Sequence, residues 1–250
     1  MKFILFIILL TYGLFKSPYT DTNMTHTENA PSEYLVQPVK KPIPIDGNWE
    51  KQEWREVPAA EIAFHMGEPP RFSPKTQVKL RYDQNNIYGI FKVEDRYVQC
   101  LVQEINGPVS TDSCVEFFFA PDVSAPLKYF NLEINCSGVP LFHYVTSPRK
   151  EYKVLDPKDI EQIEIAHSMP DKVDPEIQDA VTWYIEFRLP LSLLAQHRSI
   201  THPAPGVTWK ANFYKTGSKT SNPHYFTWNE VINERPDFHL PRYFGNITFQ

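Results

Sequence analysis

Glycine is scarce in this chain, with 9 in 250 residues, whereas proline reaches 23. Connections are therefore expected to be rigid loops rather than flexible glycine turns. Cysteine is sparse as well: Cys100, Cys114 and Cys136 cannot all pair, and no Cys/His spacing matches a zinc site. Positive charge has no excess, the net value being −5. That gives no electrostatic reason to expect nucleic acid or an anionic membrane, which call for a concentrated basic surface. Internal repeats are absent. The one long apolar run, FILFIILL after Lys2, is closed off by Lys16, too early for a membrane span of about 20 residues. Its order, a basic residue, an apolar stretch and then Tyr12-Gly13, is that of a secretory signal. No cysteine follows it to carry a lipid anchor. The chain thus divides into a signal peptide at 1–17, a flexible linker at 18–33 rich in Thr, Asn and Ser, and one domain at 34–250. A secreted or periplasmic protein is expected.

What is abundant is aromatic and β-prone sequence, with Phe at 17 and Tyr at 13. The stretch Asp112–Tyr144 reads as a β-meander. In Cys114–Phe119 alternation puts Val115, Phe117 and Phe119 on one face, and Phe130, Leu132 and Ile134 form the matching set on the return strand. For both sets to face one core, Val115 must lie opposite Ile134, Phe117 opposite Leu132 and Phe119 opposite Phe130. The same register sets Glu116 across from Glu133, with side chains starting roughly 5 Å apart, a repulsion that needs a hydroxyl pair, a cation or a shared proton to relieve it. It also sends Cys114 and Cys136 to opposite faces, so buried free thiols are expected rather than a bridge.

Elsewhere Tyr34–Val39 is expected as an edge strand limited by Pro38 and Pro42, and Trp49–Arg55 as a short helix capped by Asp46 or Asn48. Asp83-Gln84-Asn85-Asn86 suits a tight hairpin between 77–82 and 87–93, and Leu191–Gln196 a second short helix. Ser147–Pro157 is charged and proline-bounded, which points to an excursion from the sheet. Further alternating segments give about ten or eleven short strands, and the fold class is all-β, a two-sheet antiparallel β-sandwich with one or two short helices.

Candidate site residues follow from chemistry. Sugars present apolar ring faces and many hydroxyls, so a sugar site needs flat aromatics and polar side chains side by side. Trp228, Tyr225, Phe238 and His239 supply the first kind, and Glu116, Glu133 and Asn212 the second. Each has a plainer reading: the glutamates as a solvated sheet face, Trp228 as core, and His239 as a loop brace.

The phrases IDGNWEKQEW, RYDQNNIYGIFKVED, DSCVEFFFAPD, YFNLEINCSG, WYIEFRLPLSLL, WKANFYKTG and TWNEVINERPDFHLPRYFGNITF occur in that order. Together, over roughly residues 43–250, they resemble the family-9 carbohydrate-binding modules and their DOMON-like relatives. The resemblance implies a β-sandwich that holds sugar chain ends between aromatic rings. By position it puts Glu116 on a sugar-bonding glutamate and Phe238 on one sandwiching ring, with Asn212 and Tyr214 on a strand adding polar contacts. This sequence departs from that pattern twice. The second ring would fall near Ser110, which cannot stack, and Glu133 stands where sugar-binding members use arginine. The function expected is therefore a non-catalytic carbohydrate-binding protein for sugar or glycan ends in polysaccharide utilisation, working beside glycan-degrading enzymes. Two alternatives are a glycosidase using Glu116 and Glu133, and b-type haem binding of the wider superfamily through Met66 or Met169 with a His. No cofactor is expected, although the resemblance allows structural calcium at acids such as Asp46, Asp95, Asp112 or Asp122.

Overall fold

Apolar alternation sets the pairing at the centre of the fold. In the computed structural model, which describes residues 30–250, Val115 pairs with Ile134, Glu116 with Glu133, Phe117 with Leu132 and Phe119 with Phe130. This is the register that buries both apolar sets. The signal stretch 1–17 and the linker through residue 29 lie outside the described residues. Ser32, assigned to the linker, instead belongs to the domain, because its backbone N–H donates to Asn229 Oδ1 at 2.6 Å.

In chain order the strands are β1 (Glu33–Pro38), β2 (Ala60–Ile62), β3 (Phe64–His65), β4 (Lys75–Tyr82), β5 (Asn86–Asp95), β6 (Val98–Cys100), β7 (Cys114–Ala120) and β8 (Tyr129–Asn135). They continue as β9 (Pro140–Ser147), β10 (Glu151–Val154), β11 (Glu164–His167), β12 (Val173–Ile177), β13 (Val181–Pro190), β14 (Thr208–Thr216), β15 (Tyr225–Thr227) and β16 (Gly245–Phe249). Among the described residues three helices, α1 (Gln52–Arg55), α2 (Pro157–Ile160) and α3 (Leu191–His197), are short. The architecture is all-β, as expected, with more strands than alternation alone reveals. The additions are pieces such as β3, β6, β10 and β12, too brief to show a period. The excursion expected at 147–157 is in fact a hairpin, with β10 pairing on β9. The capping expected of Asp46 and Asn48 is also corrected. Each accepts a backbone N–H two residues on, from Asn48 and Glu50, while Lys51 stands at the N-cap of the one-turn α1.

One half of the fold runs β10-β9-β8-β7-β14-β16-β1 and the other β1-β4-β5-β13-β11, with β6 and β12 forming a separate two-stranded sheet. β1 is thus not an edge strand. Glu33–Val36 pair with β16, and Gln37 and Pro38 with β4, both in parallel. Proline is tolerated because it ends the strand. These two pairings correct the expectation of a wholly antiparallel sandwich. Between the halves Phe117 stacks on Phe213 at 5.1 Å and meets Phe187 of the other sheet at 6.3 Å, burying the aromatic content. All three cysteines are free and buried. Among the described residues no helix is long and apolar enough to cross a membrane.

A charged cluster interrupts this core. Lys215 of β14, fully buried, lies 3.2 Å from Asp95 and 2.7 Å from His224 Nε2. Trp183 Nε1 also donates to Asp95, at 3.2 Å. Burial and the Lys215 charge push His224 down to about 3, so it is neutral. Its Nδ1 lies 2.7 Å from the Asn222 carbonyl, which makes Nδ1 the donor and leaves Nε2 to accept from lysine.

Candidate functional site

The side chains that alternate away from the core on β14, β7, β8 and β9 would form an open sheet face. Much of that face is covered. Val231, Phe238 and Phe244 from the segment 229–244, with Met66, pack over Phe118, Tyr129 and Tyr214. Where the cover stops, a recess of about 200 Å³ remains, with Glu116 and Glu133 on its floor. Phe238, His239 and Tyr225 give it aromatic walls, and Ser110, Thr216 and Ser218 add hydroxyl-bearing residues.

Glu116 is 2% exposed and Glu133 7%, so the reading of these acids as a solvated face is overturned. Burial pushes both carboxyls up. For Glu116 the effect is strong and the neighbouring Glu133 charge adds to it, against opposition from Arg149 and Lys215. Glu133 is pushed up to about 7 by burial, held back by the Asn131 amide, Arg149 and the Ser110 hydroxyl. Asn131 Nδ2 donates to Glu133 Oε1 at 3.0 Å. At neutral pH the pair therefore retains a proton, which relieves the repulsion of two opposed glutamates.

Arg149, which sequence reasoning missed, leans into the recess from the β9–β10 turn. Its backbone φ of 61° is costly for a side chain larger than glycine, the kind of local strain that collects at functional sites. Its Nε and Nη2 donate to Asp237 Oδ1 at 3.1 and 2.6 Å. Burial would raise the Asp237 carboxyl, but Arg149 and the His239 backbone N–H outweigh it and hold the group below its ordinary value. His239 is pushed down to about 4, chiefly by burial and then by Arg149. The ring is neutral, and its Nδ1 lies 2.8 Å from the Tyr129 hydroxyl. Burial holds that hydroxyl protonated.

Of the eight expected site residues, Glu116, Glu133, Tyr225, Phe238 and His239 line the recess. Tyr214 lies beneath it, stacked on Phe238 at 4.1 Å and donating its hydroxyl to the Phe238 carbonyl. Asn212 is fully buried; its amide donates to the Asn229 carbonyl and its Oδ1 accepts from the N–H groups of Phe213 and Asn229. It anchors the start of the cover. Trp228 is corrected from platform to core, packed on Phe213 at 5.3 Å inside the sandwich. The departures noted in the sequence are visible in the recess. Ser110 brings a hydroxyl where a second ring was expected, while an arginine, Arg149 of the β9–β10 turn, shares the recess with Glu133.

The other candidate groups lie apart. Asp46 pairs with Lys51, Asp95 with Lys215 and Asp122 with Arg198, and Asp112 accepts from the N–H groups of Leu101 and Val102. Met66 belongs to the cover and Met169 to the inter-sheet core. Among the described residues no group of three His, Cys, Asp or Glu is placed to hold a metal ion.

Solved structures resemble this chain over most of its length. A Bacteroides uniformis protein described as carbohydrate-binding is 24% identical with a TM-score of 0.79, over 88% of this chain and 100% of that one. A family-9 module from Caldicellulosiruptor kristjanssonii in complex with cellotriose is 15% identical with a TM-score of 0.60, over 88% and 94%. A glucose complex of a family-9 module from the same organism gives 15%, 0.58, 88% and 96%. No curated protein matches. The family described as carbohydrate-binding family 9 matches residues 53–249. With nearly the whole described domain inside that match, and the same sandwich in the solved modules, the chain belongs to carbohydrate-binding family 9.

Proposed function

We propose that this protein binds the end of a sugar chain in the Glu116–Glu133 recess and does so without catalysis. The buried, strand-paired glutamates beside Arg149 and under the Phe238 wall carry this reading. A sugar ring entering there lays its apolar face on Phe238 and Tyr225 and turns its hydroxyls to the floor. The protonated carboxyl can donate and the ionised one accept, while Arg149 donates only. With one proton between them the two acids thus match a hydroxyl pair, each member of which both gives and takes a hydrogen bond. Family-9 modules solved with cellotriose and glucose lend support.

Burial gives these carboxyls the raised values that a general acid would need, so exposure is no argument against a glycosidase. Placement is. Both rise from neighbouring strands of one sheet and reach the same side of a bound ring, whereas a retaining pair flanks the scissile bond. The signal-like segment at 1–17 makes this an exported protein in the same proposal, capturing glycan beside separate enzymes that degrade it.

Calorimetric titration with glucose, mannose and xylose and with their β-1,4-linked oligomers tests the proposal. Glu116→Gln is expected to weaken binding by up to about tenfold, the usual worth of a hydrogen bond to a neutral group, while leaving the fold intact. Wild-type protein that binds none of these sugars overturns the reading, and release of shorter sugars during incubation overturns its non-catalytic part.

A further inference from the structure

A second recess, of about 210 Å³, adjoins the first and shares Glu133, Arg149 and His239 with it. Its far side is formed by Asn131 of β8, His143 of β9 and Tyr152 of β10. Strand alternation explains the grouping. Asn131 pairs with His143 and Tyr152 with Val145, so all four side chains leave the same face of the sheet.

Two features of this recess point to a ligand. Tyr152 is 58% exposed on an edge strand whose four residues all face solvent. Yet its ring is not free, because it stacks on His143 at 5.1 Å and 28°. Burial keeps that imidazole below its ordinary value and so favours the neutral ring. The result is a flat aromatic surface held in place beside a polar hollow, at little further entropy cost on binding. Asn131, fully buried, spends its amide N–H on Glu133 and leaves Oδ1 without a hydrogen-bond partner. A buried acceptor left unmet is unusual and asks for a donor.

We infer that the second recess is a further sugar subsite, in which the unit next to the terminal sugar lies on Tyr152, so that the ligand is a glycan of at least two units. This rests on the carbohydrate-binding reading of the first recess. Arg149 stands between the two positions, and because Asp237 engages only its Nε and Nη2, Nη1 is left to donate to a ligand oxygen. The preferred second unit is a neutral sugar. The carboxylate of an acidic sugar would meet Glu133, with Asp237 already engaging the recess's single arginine.

The test compares glucose with cellobiose and cellotriose, and mannose and xylose with their β-1,4-linked dimers and trimers, by calorimetry on the wild type, Tyr152→Ala and Tyr152→Phe. In at least one series the wild type is expected to bind the dimer about tenfold more tightly than the monomer. Tyr152→Ala is expected to reduce the dimer to monomer affinity with the monomer unchanged, and Tyr152→Phe to keep the preference. Because Tyr152 is exposed, the alanine variant folds. Equal affinity for monomer and dimer in the wild type overturns the subsite and leaves the first recess standing. So does a dimer preference that survives Tyr152→Ala. Absence of any sugar binding by the wild type overturns the proposed function and the subsite with it.

Discussion

Glu116 and Glu133 show how far single residues can be read without a structure. Alternation of Val, Phe, Leu and Ile fixed their opposition, because any other register would strand an apolar set. Their burial was not legible, since it comes from the 229–244 segment and from Arg149, both distant in the chain. The consequence is a pH dependence with a definite sign. Both carboxyls hold protons more tightly in the folded protein than at their ordinary value of 4.5, Glu133 up to about 7. Stability therefore falls as pH rises from about 4.5, where the unfolded chain begins to ionise, through about 7. His224 and His239, held neutral at about 3 and 4, act the other way, losing stability as pH falls below 6.5. Comparison with Glu116→Gln/Glu133→Gln separates the two effects. In urea titrations across pH 4.5 to 7, the double variant is expected to gain on the wild type by on the order of 3 kcal/mol from Glu133 alone, with Glu116 adding in the same direction. A constant difference would mean that the pair is not proton-linked to folding.

At the scale of elements, long alternating strands were recognisable and short ones were not. The hairpin at Asp83–Asn86 formed where expected, with Asp83 Oδ1 accepting from the N–H groups of Asn85 and Asn86, because the whole signal lies in four residues. β10 was hidden by the charge of its exposed residues. Asn212 and Tyr214 do leave the outer face of β14, yet they serve the cover rather than the recess, an outcome that no periodicity within β14 contains. The cover hangs from Asn212, whose Oδ1 and Nδ2 hold Asn229 at both its N–H and its carbonyl. Asn212→Ala is expected to cost about 1–3 kcal/mol, since it leaves the buried N–H of Asn229 without its partner, while the Thr227 hydroxyl still donates to the Asn229 carbonyl. It should also speed amide exchange from 229 to 244 more than in β4 or β5. Uniform acceleration across both sheets would show that the cover has no separate anchor.

For the whole molecule, fold class was legible because about ten or eleven alternating segments must cover one another's apolar faces. The buried Lys215–Asp95 pair was not, because a lysine in a strand reads as solvent-facing by default. Lys215→Met should cost about 3–5 kcal/mol by leaving Asp95 buried without its cation, and Lys215→Met/Asp95→Leu should recover much of that loss. Denaturant unfolding followed by tryptophan fluorescence distinguishes the cases. A double variant as weak as the single would make the loss one of packing rather than charge.

The seam formed by β1 reaches beyond stability to the order in which the protein can be made. One partner of β1, β4, is synthesised soon after it, but the other, β16, is the last of the described strands to be synthesised. While the chain is still growing, the first half of the sandwich can assemble only with one flank of β1 open, an unpaired strand flank of the kind that recruits other chains. Closure waits for β16 to be made, and any agent that holds the emerging chain unfolded until then would protect it from pairing with its neighbours.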